Sequence, residues 1–202
     1  MNIISNDCIG GRVYNEYNSE YENPFIWSCI TTDDFIYLMD NFYSIDFYNI
    51  KCEFSNEELY NNKNIPQIII DDKICLQFIH HHQDEKYSEP TKTSDYKYSV
   101  DIYYNDILNY LKDSYIRRVD RMISLKEEPV FIYSPSVGKY VNNSYDSVIN
   151  SNNDFKKIIC CSENTVVKLN DKTKRYNYHF ESGKQFELTQ NIAKHLISEN
   201  FI

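Results

Sequence analysis

Apolar and polar positions fall into short blocks along this chain, and most blocks predict one element. Residues 2–5 (NIIS) read as a short buried strand. Asn6-Asp7-Cys8 and the adjacent Gly10-Gly11 interrupt that run, so Cys8 to Asn18 read as a turn followed by a helix. TTDDFIYLMDNFYS has a helical period: Phe35, Leu38, Met39 and Phe42 share one face, Thr31 or Thr32 can cap it, and Asp33 and Asp34 occupy the first turn. IKCEF at 50–54 reads as a strand, and IPQIIIDDKICLQFIHHH as a hairpin of two strands about an Asp71-Asp72-Lys73 turn.

Gln83 to Ser99 is polar, contains Pro90, and reads as a mobile surface loop. A long helix is expected from about Asp101 to Leu125, with Ile107, Leu108, Leu111, Tyr115, Val119 and Met122 on one face. PVFIYSP reads as a strand, Asn143 to Ile149 as a short helix, and FKKIICCS as another strand. VVKLND and RYNYHFE read as a late pair of strands, and FELTQNIAKHLISENF as a closing amphipathic helix. Strands alternating with helices predict a single α/β domain over 1–202: a mixed, partly parallel central sheet flanked by helices, in a three-layer-like sandwich. In open sheets ligands gather beyond the carboxyl ends of strands. Cys8, His80 and Ser134 would all lie there if their strands run parallel.

Composition narrows the classes. A length of 202 residues suffices for a real core, and 42% hydrophobic with 15% aromatic residues is globular. The net charge of −9 argues against nonspecific nucleic-acid binding, which needs clustered cations. No apolar stretch reaches the ~20 residues of a membrane span, and MNIIS lacks the basic and apolar regions of a secretory signal. Six scattered cysteines without a CxxC pair read as reduced thiols in a cytoplasmic protein without a structural zinc site. No metal and no cofactor is expected. Phosphate loops, dinucleotide fingerprints, GxSxG elbows and HExxH helices are absent from the sequence.

Four features can carry chemistry. Cys8 follows a strand and precedes a helix, so free N–H groups around Ile9, Gly10 and Gly11 would stabilise a thiolate and an oxyanion, whereas the charge of Asp7 would oppose the thiolate. The alternative is a packed Cys8, with glycines that serve helix–sheet contact. FIHHHQDEKY ends an apolar strand in histidines; Leu76, Phe78 and His80 alternate onto one face, which puts His80 where a base would sit. Consecutive histidines do not converge on one ion, and one packed histidine with exposed neighbours is the plain alternative. In YIRRVDRM, Arg117 and Arg121 are i,i+4 neighbours and Arg118 is i,i+3 to Arg121, a set suited to a carboxylate or phosphate, or to surface salt bridges with Asp113 or Asp120. Trp27 in NPFIW either walls a ligand site or plugs the core.

IISNDCIGG, Tyr14, NPFIW and DDFIYLMDNF together resemble the start of a family associated with exopolysaccharide-biosynthesis loci. Cys8, Pro24-Phe25-Ile26-Trp27, Phe78-Ile79-His80, Arg117-Arg118-Val119-Asp120-Arg121 and VFIYS resemble, in order, its relative described as papain-like cysteine peptidases. The resemblance runs over about residues 2–134 and fades in the last third. It implies a Cys–His pair with Cys8 as nucleophile and His80 as base. Asp7, Asp84 and Asp101 are the candidates for a third member. Ile26 stands where the peptidase-like relative usually has an acid, so that acid's role is missing or moved. The implied reaction is hydrolysis or acyl transfer on a peptide, acyl or glycan substrate, with Asn6, Gly10, Gly11, Trp27, His81, Arg118 and Arg121 in contact with it. The alternative function is noncatalytic glycan or sugar-phosphate binding, or another role in polysaccharide biosynthesis, with Cys8 structural.

Overall fold

The computed structural model describes residues 2–7, 9–16, 21, 23–55, 65–78, 91–92, 101–102, 106–134, 145–152, 154–162, 169–178, 191, 193–194 and 197–198. Its elements are β1 (Ile3–Ser5), α1 (Ile9–Glu16), α2 (Thr32–Asn41), β2 (Ile50–Phe54), β3 (Pro66–Ile70), β4 (Ile74–Gln77), β5 (Thr91–Lys92), β6 (Asp101–Ile102), α3 (Ile107–Leu125), β7 (Val130–Tyr133), α4 (Tyr145–Asn150), β8 (Lys156–Ser162) and β9 (Thr173–Tyr178). Strands β1, β7, β8 and β9 form one sheet in that order, and every pairing is parallel.

Parallel strands covered on both faces read as continuous apolar runs, which is what IIS, VFIY and KIIC supply. Alternate residues face opposite layers. Ile4, Phe131, Tyr133 and Ile159 enter the larger core with Phe35, Leu38 and Met39 of α2 and Leu111, Tyr115 and Val119 of α3. Ile3, Ile132, Ile158 and Cys160 enter a second core with Ile9, Val13 and Tyr14 of α1 and with Ala193. Residues 191, 193, 194, 197 and 198 are helical; the rest of the expected closing helix lies outside the described residues.

The expected mixing of strand directions is present, but it is divided between sheets. Strands β2, β3 and β4 form a separate antiparallel sheet. Burial alternates along β3 and β4, so Ile68, Ile70, Ile74 and Leu76 face the larger core. Asp71 (φ 52°) and Asp72 (φ 54°) are both left-handed, and the Lys73 N–H donates to the Ile70 carbonyl at 3.0 Å. Two positive φ values in a tight turn match the twist of a hairpin, and aspartate tolerates that region better than most residues.

α3 buries the expected stripe but begins at Ile107, not near Asp101. Asp101–Ile102 instead pairs antiparallel with Thr91–Lys92. That short strand falls inside the expected 83–99 loop, whose other residues lie outside the described set. No helix among the described residues is long and apolar enough to cross a membrane.

β1 lies at the edge of the parallel sheet, and side chains satisfy its open side. The Ile3 N–H donates to the Tyr14 hydroxyl at 3.2 Å, and Asn23 Nδ2 donates to the Ile3 carbonyl at 2.6 Å. Asn23 also donates to the Tyr14 hydroxyl at 3.1 Å, while its Oδ1 accepts the Phe25 N–H at 3.0 Å. These contacts block the edge from pairing with another chain and fix the segment leading to Trp27.

Candidate functional site

At the carboxyl end of β1 the chain is held from three directions through Asn6. Its side chain pairs reciprocally with the backbone just after β7: Nδ2 donates to the Ser134 carbonyl at 2.9 Å, and the Ser134 N–H donates to Oδ1 at 2.8 Å. Its carbonyl accepts the Ile30 N–H at 3.0 Å, and its own N–H donates to the Ile132 carbonyl at 3.3 Å. The amide thus extends the β1–β7 ladder with side-chain atoms. Both amide atoms are engaged in this clamp, which is where the structure places this expected substrate contact.

Asp7 is fully buried. Its Oδ1 accepts the Ile9 N–H at 2.9 Å, an Asx-type start to α1, whereas Oδ2 is buried without a hydrogen-bond partner. Burial pushes its carboxyl up from 3.8 to about 7, against the lowering effect of the Ile9 N–H and of the nearby Ser134 side chain. Ser5 closes the same turn: its hydroxyl donates to the Asp7 carbonyl and accepts the Gly10 N–H at 2.9 Å.

These bonds correct one expectation. Of the N–H groups around Ile9, Gly10 and Gly11 expected to stabilise a thiolate or oxyanion, those of Ile9 and Gly10 are committed to Asp7 Oδ1 and Ser5 Oγ. An oxyanion at this end of the sheet needs other donors. The glycines serve close approach: a Cβ on Gly10 would lie 2.7 Å from Ser5 Oγ, and one on Gly11 2.7 Å from Trp27 Cε2 and 2.9 Å from Cδ2. Trp27 is itself buried, sits at φ 61°, meets Tyr21 edge-on at 6.4 Å, and has the Arg12 guanidinium 4.9 Å from its ring centroid. Its indole is a core plug rather than an open wall.

Gly11→Ala is therefore expected to destabilise the fold. Overpacking costs about 1–3 kcal/mol, and the higher helix propensity of alanine returns at most ~1 kcal/mol of it. Urea denaturation should show a net loss of roughly 1–2 kcal/mol, and a variant as stable as the parent would mean that the indole yields without cost.

Cys8 and His80, His81 and His82 lie outside the described residues, as does Asp84; Asp101 is described in its backbone alone. The backbone leading to positions 8 and 80 is described. Cys29 and Gln77 exchange both amide hydrogen bonds (2.8 and 3.0 Å), and the next residue, Ile30, donates to the Asn6 carbonyl. One two-residue bridge therefore ties the end of β1 to the end of β4. Leu76 and Phe78 are both buried, as the alternation leading to His80 predicts. The condition that the strand leading to His80 run parallel with β1 in one sheet is not met: β4 pairs antiparallel with β3, as a hairpin must, in a separate sheet, and the Cys29–Ile30 bridge brings its end alongside β1.

Two of the three arginines of α3 gather at Tyr21. The Arg118 guanidinium lies 5.2 Å from the Tyr21 ring centroid, Arg121 donates to the Tyr21 carbonyl at 3.1 Å, and Arg117 donates to Ser114 Oγ at 3.1 Å. Arg118 and Arg121 thus tie α3 to the segment that carries Trp27. Among the described residues, no group of three or more His, Cys, Asp or Glu side chains is placed to hold a metal ion.

Sequence reasoning gave no role to Ser5, Tyr14 or Asn23, nor to Ser134 as a partner of Asn6. Asn23 precedes a proline, a signal for a local turn, but its long-range bond to β1 has no local signature. No curated protein matches the chain. The model of an uncharacterised family does, over residues 1–178, from β1 to the end of β9. With so much of the chain matched, this protein belongs to the family described as Domain of unknown function (DUF1919).

Proposed function

We propose that this protein is a cysteine hydrolase or acyltransferase of papain-like chemistry, with Cys8 as nucleophile and His80 as its base. The observation that carries the reading is the Cys29–Ile30 bridge. Position 8 lies two residues beyond Asn6 and position 80 three beyond Gln77, and both anchors hydrogen-bond to consecutive residues of one short segment. Two chain ends leaving a shared anchor have the short reach that a nucleophile–base pair requires.

Asp7 adds a second support. An ionised carboxylate next to Cys8 would oppose the thiolate, but burial raises this carboxyl to about 7, so that it is mostly protonated in mildly acidic solution. Its role is that of a positioning residue that fixes the start of α1 through the Ile9 N–H. The thiolate attacks the carbonyl carbon of an acyl donor, the imidazolium returns its proton to the leaving group, and water or an acceptor hydroxyl then takes the acyl group. The association of the resembling relatives with exopolysaccharide loci makes a glycan-borne or peptide acyl group the substrate class to test. The glycan-binding alternative relies on Trp27 and on Arg118 and Arg121; it has less support, because the indole is buried and these arginines face Tyr21.

The test is the pH dependence of alkylation, followed by peptide mapping. Cys8 is expected to label with an apparent pKa well below the free-thiol value of ~8.5, and His80→Ala to abolish that acidity. Cys52 is an internal control, since burial pushes its thiol up. Labelling of Cys8 no faster than that of Cys52 or Cys75 would overturn the proposal and return the glycan-binding reading.

A further inference from the structure

The opposite end of β1 adjoins a surface that the proposed chemistry does not use. Among the described residues four large apolar side chains stand exposed, and three of them lie together: Tyr43 (74%), Ile123 (51%) and Tyr48 (50%). Tyr43 and Ile123 flank a cleft of about 370 Å³ whose walls include Phe42, Phe47 and Met122. Tyr48 follows Phe47, and its hydroxyl donates at 2.7 Å to Asp120, one turn of α3 before Ile123. Single exposed apolar residues are ordinary, but a set gathered around a concavity marks an interaction surface.

Charge selects the partner. Glu127 and Glu128 line the cleft, and Asp46 and Asp120 hold Tyr48 by its N–H and its hydroxyl. The cleft itself brings one ammonium, that of Lys126. Arg117 and Arg121 turn elsewhere, to Ser114 and to the Tyr21 carbonyl, along the neighbouring stripe of α3. Four carboxylates to one ammonium attract a cationic partner and disfavour nucleic acid or an anionic bilayer. They also disfavour a second copy of this chain, which would bring the same carboxylates to a symmetric contact.

The walls select the form. The cleft lies between the end of α3 and the 42–48 connection, and Tyr14 and Asn23 already occupy the β1 edge at Ile3. An added strand finds no backbone partners at Ile3, so recognition runs through side chains, which a helix presents at i, i+3, i+4 and i+7. We propose that this face docks a cationic amphipathic helix of a partner protein. Its apolar side chains enter the cleft against Phe42, Phe47 and Met122, and its flanking lysines or arginines meet Asp120, Glu127 and Glu128.

The probe is a fluorescently labelled helical peptide of leucine and lysine with its leucines along one face, beside a companion in which glutamate replaces lysine. The leucine–lysine peptide is expected to bind the full chain saturably by fluorescence anisotropy. It should shift the methyl resonance of Met122 and leave in place that of Met39, which is buried and does not line the cleft. The glutamate companion should bind at least about tenfold more weakly. Glu127→Lys with Glu128→Lys should weaken the leucine–lysine peptide at least about tenfold, and the exposed Ile123→Ser at least about fivefold. Asp113→Lys with Asp171→Lys makes the same change in net charge at exposed positions away from the cleft. Asp113 lies about three turns of α3 before Ile123, and Asp171 adjoins β9 at the far edge of the sheet. That pair should leave the affinity within about twofold of the parent. Equal losses from the two charge reversals, or a Met122 signal that the peptide does not move, would overturn the proposal in favour of nonspecific attraction. A dimer in sedimentation that Ile123→Ser dissolves would overturn it too, by making a second copy the occupant. None of these readouts depends on Cys8.

Discussion

Asn6→Ala is expected to cost about 2–4 kcal/mol of folding stability, because the buried Ser134 N–H and carbonyl both lose the amide that pairs with them. The loss should appear in urea denaturation as a lower midpoint with an unchanged slope. Asn6→Asp separates the chemistry from the volume. Its carboxylate still accepts the Ser134 N–H but sets a second oxygen against the Ser134 carbonyl, whereas its protonated form donates there as the amide does. Asn6→Asp should therefore resemble Asn6→Ala at pH 8 and recover towards the parent near pH 4. An Asn6→Ala variant within about 0.5 kcal/mol of the parent would show that the clamp carries no stability. If the Cys8 reading is right, the same substitution also slows alkylation of Cys8, since the clamp holds the strand end that leads to it.

What was legible in the sequence was whatever depends on local periodicity. The stripe Ile107, Leu111, Tyr115, Val119, Met122 buries as a helix of period 3.6 must, and the Thr31 cap accepts the Asp34 N–H at 3.2 Å. The IIS, VFIY and IIC runs read as strands without alternation because both faces are covered. Sheet membership was not legible. IPQIII and ICLQF read equally well as strands of the central sheet, and only long-range pairing assigns them to a second one. The α3 boundary moved because Asp101–Ile102 found strand partners about ten residues earlier in the chain, a tertiary override of helix propensity. Lys157 is the clearest hidden residue: nothing in KKIICC marks one lysine for burial, yet its Nζ donates to the Ile149 carbonyl at 2.8 Å and to that of Ser151, closing the end of α4. At the candidate site, IISNDCIGG correctly marked a strand, a turn and a helix start. It left open what the glycines do, because Gly11 and Trp27 are sixteen residues apart and a one-dimensional pattern does not record their contact.

The pH dependence of stability should carry the signature of Asp7. Its folded-state carboxyl is raised from 3.8 to about 7 by burial, so between those values the folded protein holds a proton that the unfolded chain has released. Stability from this group is therefore fully present below about pH 4 and is lost as pH rises through about 7. Roughly three pKa units correspond to a ceiling of ~4 kcal/mol. Asp7→Asn keeps an acceptor for the Ile9 N–H and removes the titration, so the stability difference between parent and variant should shift by about 2–4 kcal/mol in the variant's favour between pH 4.5 and pH 8. A flat difference across that range would mean that Asp7 ionises as an ordinary carboxylate. The same pair of proteins then bears on Cys8. If a neutral Asp7 is what permits a thiolate beside it, Asp7→Asn should leave alkylation at pH 6 nearly unchanged and raise it at pH 8, where the parent carboxyl has ionised. A fall in labelling at both pH values would instead make the acid itself a partner of the thiol.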